Sequence, residues 1–333
     1  MASQLPIAAW ERAALFILNN GDNLQRMRYA FHFIDGDADS IELALAEYQN
    51  ADGGFAHGLE ADLRTGHSSV ICTTVALQIM GELNISSQRP ILRDAIKYLD
   101  LQYQRDFQFQ QDTQYQQGQL KNWPLINENY NDQAHAPWWA FDKNWGCTGA
   151  FLANPGAEII AYYLQYGTSL CNEIVTNLLT RALEHLKHRQ ENNIEVEMHE
   201  LICYRRLYDC KFLGENYKQA MLPSLLHQAR ALVKVELCDW EEYGLTPITL
   251  VAQANSDLAT YFADSMELNF EYQIRQQSPE GCWTPRWPWG GGFPDVWKRV
   301  ETEIKVELTL KFLILLSRFG KLASAPHLDQ LEP

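Results

Sequence analysis

Apolar residues recur along this chain at intervals of three and four positions, which is the spacing of one face of an α-helix. Trp10, Ala14 and Ile17, for example, fall on one side of the first such segment. No stretch of any length alternates apolar and polar residues as a half-buried strand does. The pattern predicts an all-α protein with about ten to twelve helices. The predicted helices span 8–19, 40–49, 68–83, 91–103, 155–165, 173–190, 195–212, 217–235, 257–276 and 301–319.

Two of these segments carry a further signal. The segment 68–83 is apolar nearly all round, which predicts a helix that is buried on every side. Asp39 stands directly before the segment 40–49, where an aspartate side chain can cap the first turn of a helix.

A polar region interrupts the helical pattern between residues 102 and 149. Its first part, 102–119, contains nine glutamines and few aliphatic residues, which predicts an exposed helix extension followed by a loop. The second part, 122–149, is rich in Trp, Asn, Asp and Pro. It is too long for a plain connection, and long structured loops are often functional.

Composition narrows the class of protein and its partners. The 333 residues include 46% hydrophobic and 21% charged side chains, typical of a globular domain, and carry a net charge of −15. Such an acidic chain is a poor partner for nucleic acid, which requires a basic face. No run of 18 apolar residues predicts an integral membrane segment. The N-terminus lacks the basic region of a signal peptide, and the seven cysteines form no CxxC, so we expect a cytoplasmic protein with reduced thiols.

One short motif occurs twice, near the two ends of the chain. Residues 49–55 read QNADGGF and residues 277–283 read QSPEGCW, and both fit Gln-x-x-(Asp/Glu)-Gly-x-(Phe/Trp). Each motif follows one predicted helix and precedes another after a polar, Gly- or Pro-containing loop. Glycine permits a left-handed turn, and we expect the aromatic residues, Phe55 and Trp283, to pack at equivalent turns. Repeats of helix-turn-helix units are typical of stacked or closed helical arrays.

The repeated motif resembles the QW motif of triterpene cyclases and the DGGF element of protein prenyltransferase β subunits. In that superfamily the turn leaves an outer helix and leads to an inner helix that lines a central cavity. The resemblance therefore implies a single α/α toroid over residues 1–333, a ring of about six helix pairs. It also implies a terpene cyclase-like enzyme that acts on a small apolar or isoprenoid substrate in the central cavity.

The catalytic motifs of those families are missing from this sequence. There is no Asp-x-Asp-Asp acid, and neither the zinc ligands of the prenyltransferases nor an Asp-rich metal motif is found. A cyclase-type reaction would then start by protonation from another acid. We predict Asp62, Glu60 and Asp295 for this role, since each follows a repeat motif on a loop expected to reach the cavity. No cofactor is predicted, and a divalent metal ion is left open.

Three loops hold the candidate site residues. Loop A, residues 57–67, contains His57, Glu60, Asp62 and His67, a combination that can bind a cation or act as acid and base. The simpler interpretation of loop A is helix capping with an arginine–carboxylate pair. We expect His57 and His67 to contact substrate.

Loop B, residues 131–142, reads NDQAHAPWWAFD, and loop C, residues 283–297, reads WTPRWPWGGGFPDVW and includes Asp295. Aromatic faces stabilise carbocations and also bind sugar rings, so both loops are candidate pocket walls. The simpler interpretation is that these tryptophans only pack the loops against the protein. The predicted substrate-binding residues of the two loops are Asp132, His135, Trp138, Trp139, Trp287 and Trp289.

Two other classes of function remain open on the sequence. Rings of helix pairs also occur in polysaccharide lyases and hydrolases, and aromatic residues beside carboxylates suit carbohydrate chemistry. A toroid without a catalytic acid would instead serve as a scaffold or binding protein. An apolar pit favours isoprenoids, an open groove with exposed tryptophan favours sugars, and a filled centre favours a scaffold.

Overall fold

The computed structural model describes residues 4–112, 122–141 and 151–323, with the side chains of 105–112 left out. Within these ranges the regular elements are helices, and β pairing is limited to isolated bridges. The predicted all-α class is therefore confirmed. Residues 113–119 of the Gln-rich segment and 142–149 of the region 122–149, including Asp142, lie outside the described residues. The thirteen α-helices of the described chain are α1 Ile7–Asn20, α2 Asn23–Phe33, α3 Ala38–Ala46, α4 Val70–Glu82, α5 Pro90–Asp112, α6 Ala153–Tyr166, α7 Asn172–Glu191, α8 Met198–Asp209, α9 Glu215–Leu232, α10 Pro247–Leu250, α11 Asp257–Tyr261, α12 Ala263–Arg275 and α13 Pro294–Arg318.

The observed helices differ from the sequence pattern at several points, three of which follow. Helix α2 was not predicted, although Asp22 and Gln25 form a reciprocal capping box at its start. The segment 257–276 divides into α11 and α12. The predicted cap of α3 is wrong: Asp37, and not Asp39, accepts the backbone N–H of Ser40, because the helix begins two residues earlier.

The chain divides into two compact units, Met1–Leu45 with Val233–Pro333 and Ala46–Leu232. In the second unit, α4 contacts α6 and α6 contacts α8, while α5, α7 and α9 each pack on the helix that precedes them. None of the residues of α4 is exposed, as its apolar pattern predicted. This unit therefore consists of helices that alternate between two layers. A single domain over 1–333 stays a prediction.

In the first unit, the two ends of the chain pack together. Helices α1 and α2 both contact α13. Leu5 and Leu322 form a parallel bridge, in which Leu5 N–H donates to the Lys321 carbonyl at 2.8 Å. The N-terminal helix is thus the packing partner of the C-terminal one.

The first motif forms a turn that is tied to helix α5. Gln49 Nε2 donates to the carbonyl oxygen of Gly53 at 2.9 Å and to that of Ile91 at 3.0 Å. Gly53 has a φ of +87°, and a Cβ added there would lie 2.4 Å from the carbonyl oxygen of Asp94. The turn therefore requires glycine both for its backbone conformation and for its approach to α5.

The second motif forms the same turn against helix α1. Gln277 Nε2 donates to the carbonyl oxygens of Gly281, at 3.0 Å, and Ala9, at 2.8 Å. Gly281 has a φ of +98°, and a Cβ there would lie 2.4 Å from the carbonyl oxygen of Arg12. Helix α1 thus contacts the second motif in the same way as α5 contacts the first, although α1 is far from the second motif in the sequence.

The aromatic residues of both motifs are buried. Phe55 has no exposed surface, and Trp283 is 6% exposed. The indole of Trp283 packs against Phe312 at 4.6 Å between ring centroids and donates to the Gln273 carbonyl at 2.7 Å. The predicted packing of Phe55 and Trp283 at equivalent turns is confirmed.

Candidate functional site

Loops A and B are joined by backbone hydrogen bonds. Leu63 and His135 form an antiparallel bridge, with Arg64 N–H donating to the Ala134 carbonyl at 3.0 Å. On the other side of the bridge, Ala136 N–H donates to the carbonyl oxygen of Asp62 at 2.8 Å. The structure therefore brings together two of the three loops that were singled out in the sequence.

Asn50 of the first motif holds loop A in place. Its side-chain amide donates to the Gly66 carbonyl at 3.1 Å and to the Ser68 hydroxyl at 2.9 Å. Since both amide hydrogens are used in this way, Asn50 Oδ1 is the acceptor for His57 Nε2 at 2.9 Å. The neutral His57 ring then carries its proton on Nε2, which leaves Nδ1 as its basic nitrogen. Asn50 thus sets the tautomer of a predicted substrate-binding residue.

The backbone of loop A has a left-handed residue at His57. Its φ is 60°, which non-glycine residues rarely adopt, and its N–H donates to the Thr65 carbonyl at 2.8 Å. His57 and His67 are both exposed. Loop A therefore presents two histidines to solvent on a backbone that is fixed from the motif side.

The two acids of loop A differ in burial. Asp62 is 7% exposed, whereas Glu60 is half-buried. Leu63 N–H donates to the Glu60 carbonyl at 2.9 Å, which closes a turn around Asp62. Asp62 is thus a buried carboxyl group on the strand-like segment that pairs with loop B.

Loop B places its side chains in three different environments. His135 Nδ1 donates to the Gln133 carbonyl at 2.6 Å, so its Nε2 is the basic nitrogen of the neutral ring. Trp139 is 9% exposed, and its neighbour Trp138 is 44% exposed. Asp132 is exposed. The pair of tryptophans therefore has one buried member and one member open to solvent.

A thiol and a phenol lie beneath these loops. Burial raises the pKa of Cys72 to about 11, and the charge of Glu60 adds to this effect. Burial likewise raises the pKa of Tyr130, and the neighbouring Cys72 contributes. Both groups are therefore neutral near pH 7, and the Cys72 thiol is not an activated nucleophile.

Asp295, the predicted acid of loop C, is exposed to solvent. Asp295 lies in the first turn of α13 with 97% of its side chain exposed, 3.9 Å from the ammonium group of Lys298. It therefore does not meet the requirement of a buried acid, because a free N-terminal helix turn projects into solvent. Trp289 is buried and packs against Trp297 at 5.6 Å, and Trp287 contacts Tyr243 at 5.3 Å. These contacts agree with a packed aromatic loop.

A buried polar cluster that sequence reasoning missed connects α4, α6 and α8. The Glu158 side chain is almost fully buried and accepts four hydrogen bonds, from Gln78, Tyr162, Cys203 and Arg206. Arg206 also donates to the Gln78 side-chain oxygen at 2.8 Å. The cluster thus links three helices through one carboxylate.

The electrostatics of this cluster favour neutral side chains at Tyr162 and Cys203. Burial and the charge of Glu158 raise the pKa values of Tyr162 and Cys203. Burial alone would lower the pKa of Arg206, but its interactions with Glu158, Cys203 and Tyr162 together outweigh burial, so the pKa is raised. The sequence feature that could have indicated this cluster is Glu158, an ionisable residue inside the apolar run GAEIIAYY, residues 156–163.

The described residues contain no group of three His, Cys, Asp or Glu side chains placed to hold a metal ion. None of the helices in the described ranges is both long enough and apolar enough to cross a membrane. Comparison of the chain with protein-family models, with characterised proteins and with solved structures gives no match. The assignment of function therefore depends on the geometry of loops A and B.

Proposed function

We propose that this protein is a terpene cyclase-like enzyme that protonates an isoprenoid substrate, with Asp62 as the acid. One observation carries the proposal: backbone pairing joins the buried Asp62 to the loop that holds His135 and Trp139. Of the three acids proposed from the sequence, Asp62 is the only buried one. Glu60 and Asp295 then have no role as the proton donor.

The chemistry requires a carboxyl group that stays neutral until it meets the substrate. Burial disfavours the charged form of a carboxyl group, and an aromatic face stabilises the carbocation that protonation of an alkene creates. The first requirement is burial, and Asp62 is 7% exposed. Loop B supplies aromatic rings and a histidine whose basic nitrogen is fixed by its bond to Gln133.

We also propose, as the resemblance implies, that the helices form a closed ring of six pairs. The support comes from the repeated turn: α1 packs beside α13 as α5 packs beside α4, through the same glutamine and glycine contacts. In a closed ring the N-terminal helix has to follow the C-terminal pair in this way. Outer helices would then be α1, α3, α5, α7, α9 and α12, and inner helices α2, α4, α6, α8, α10 and α13.

The test is product formation from isoprenoids by the full chain. The protein is incubated with farnesyl diphosphate, geranylgeranyl diphosphate and squalene, and products are identified by gas chromatography with mass spectrometry. We expect a cyclised or isomerised product that Asp62→Asn abolishes with little change in melting temperature. The matched control is Asp264→Asn, an exposed acid of α12, which should keep full activity. Full activity in Asp62→Asn would exclude Asp62 as the acid.

One observation favours a carbohydrate substrate instead. Trp138 exposes 44% of its surface next to the half-buried His135, as an aromatic platform for a sugar ring would. Under this alternative, cellohexaose or an oligouronate binds the protein, and Trp138→Ala weakens that binding. Isoprenoid turnover that survives Trp138→Ala, without oligosaccharide binding, would rule the alternative out.

A further inference from the structure

The indole N–H of Trp139 is a buried donor that needs a partner. Trp139 is 9% exposed, and its Nε1 has no hydrogen-bond acceptor in the described part of the chain. Buried polar groups in native proteins are nearly always bonded, so such a donor calls for an explanation. An acceptor from outside the chain is the simplest one.

Other buried indoles of this protein show the usual arrangement. Trp123 Nε1 donates to the Leu99 carbonyl at 3.0 Å, and Trp240 Nε1 donates to the Lys234 carbonyl at 2.7 Å. The indole N–H of Trp10 likewise has no acceptor at hydrogen-bond geometry in the described ranges, but the hydroxyl of Tyr29 lies beside it. Trp139 therefore differs from the tryptophans that serve only to pack the core.

The position of Trp139 connects this donor to the proposed acid. A short 3-10 turn, Pro137–Trp139, follows Ala136, and Trp139 N–H donates to the Ala136 carbonyl at 2.9 Å. The N–H of Ala136 in turn donates to the Asp62 carbonyl at 2.8 Å. The backbone of Trp139 is thus held to that of Asp62 through a single intervening residue.

We propose that the substrate supplies the missing acceptor as an oxygen atom, which Trp139 Nε1–H binds. This inference rests on the proposed function and narrows its substrate class to isoprenoids that carry a hydroxyl, carbonyl or ether oxygen. A pure hydrocarbon would leave the indole donor unsatisfied. A site built to bond a polar group of its substrate discriminates against the analogue that lacks it.

The test uses two compounds with the same carbon chain length, farnesol, which has a hydroxyl group, and β-farnesene, which has none. The full chain is labelled with 15N-tryptophan, and the indole signal of Trp139 is identified by its loss in Trp139→Phe. We expect farnesol to shift this signal and β-farnesene to leave it in place. Trp139→Phe should weaken farnesol binding by about 10-fold, the value of one hydrogen bond, and leave β-farnesene binding unchanged.

Trp240→Phe is the matched control, since it also removes a buried indole donor, but one that is bonded to the Lys234 carbonyl, and it should not change the preference for farnesol over β-farnesene. Trp139→Phe should lose only the packing of the larger ring, because the donor it removes has no acceptor among the described residues. A Trp139 signal that neither compound shifts would overturn the proposal, as would equal shifts with both. A shift with cellohexaose alone would overturn the isoprenoid class. Binding needs no turnover, so a farnesol shift together with an active Asp62→Asn would refute the acid and keep the oxygen contact.

Discussion

The backbone N–H of Phe55 donates to the hydroxyl oxygen of Thr73 at 3.1 Å, which anchors the first motif to helix α4. Trp283 N–H donates in the same way to Thr309 in α13 at 3.2 Å. Each threonine hydroxyl in turn donates to a carbonyl four residues earlier in its helix. The repeat therefore extends beyond the sequence motif to one threonine in the following helix.

Replacing this threonine should leave a buried amide without a partner. Thr73→Val keeps the side-chain shape but removes the acceptor for Phe55 N–H, so we expect a loss of about 1–3 kcal/mol in unfolding free energy. Thr74→Val is the control, because the Thr74 hydroxyl donates only to the Ile71 carbonyl of its own helix. Urea denaturation measures both variants. Equal losses would show that the hydroxyl of Thr73 has no special role.

The glycines of the two turns should not tolerate alanine. Gly53→Ala and Gly281→Ala combine a positive φ with a Cβ 2.4 Å from a carbonyl oxygen. Gly167→Ala has a φ of +85° and open space around the added methyl group, so it isolates the conformational cost, about 1–2 kcal/mol. We expect both motif variants to lose more stability than Gly167→Ala in thermal unfolding. Similar melting temperatures for all three would mean that the close approach to α5 and α1 is unimportant.

Removing only one partner of the Glu158–Arg206 pair should lower the free energy of unfolding. Glu158→Gln leaves the positive charge of the partly buried Arg206 uncompensated, and we expect a loss of about 3 kcal/mol. The double variant Glu158→Gln/Arg206→Met should recover part of it. Glu271→Gln, which breaks an exposed pair with Arg275, should cost less than about 1 kcal/mol. Chemical denaturation compares the four proteins, and no recovery in the double variant would argue against charge as the cause.

His185 should make stability fall in mild acid. Burial, with a smaller contribution from Arg189, lowers its pKa from 6.5 to about 4. Between pH 6.5 and pH 4 the unfolded chain binds a proton at His185 and the folded chain does not. The free energy of unfolding is therefore unaffected by the titration of His185 above pH 6.5 and falls as the pH is lowered towards 4. The tautomer fits: Nδ1 bonds the Tyr204 hydroxyl and Nε2 accepts from Arg189.

His185→Phe should therefore lose less stability than the wild type when the pH falls from 7.5 to 4.5. His188→Phe, at an exposed position of the same helix, should retain the wild-type dependence. Melting temperatures across this range compare the three proteins. Identical pH profiles for His185→Phe and the wild type would refute the prediction.

The sequence by itself determined the helical class and the two motif turns. Both depend on neighbours within a few positions: the apolar period sets the helix, and Gln-x-x-(Asp/Glu)-Gly sets the turn whose glycine has a positive φ. The buried aromatic residues Phe55 and Trp283 followed from the same local pattern. The missed helix α2 shows the limit, because its mixed composition gives a weak apolar period.

Only the tertiary structure decided which residues meet. Leu63 and His135 pair across more than 70 positions, and Glu158 gathers partners from helices far apart in the chain. Burial is likewise a property of packing: Asp62 and Asp295 follow the same motif, yet one is 7% exposed and the other projects from a helix end. No spacing rule in the sequence separates the two, because the difference arises from the distant chain segments that cover Asp62 and leave Asp295 exposed.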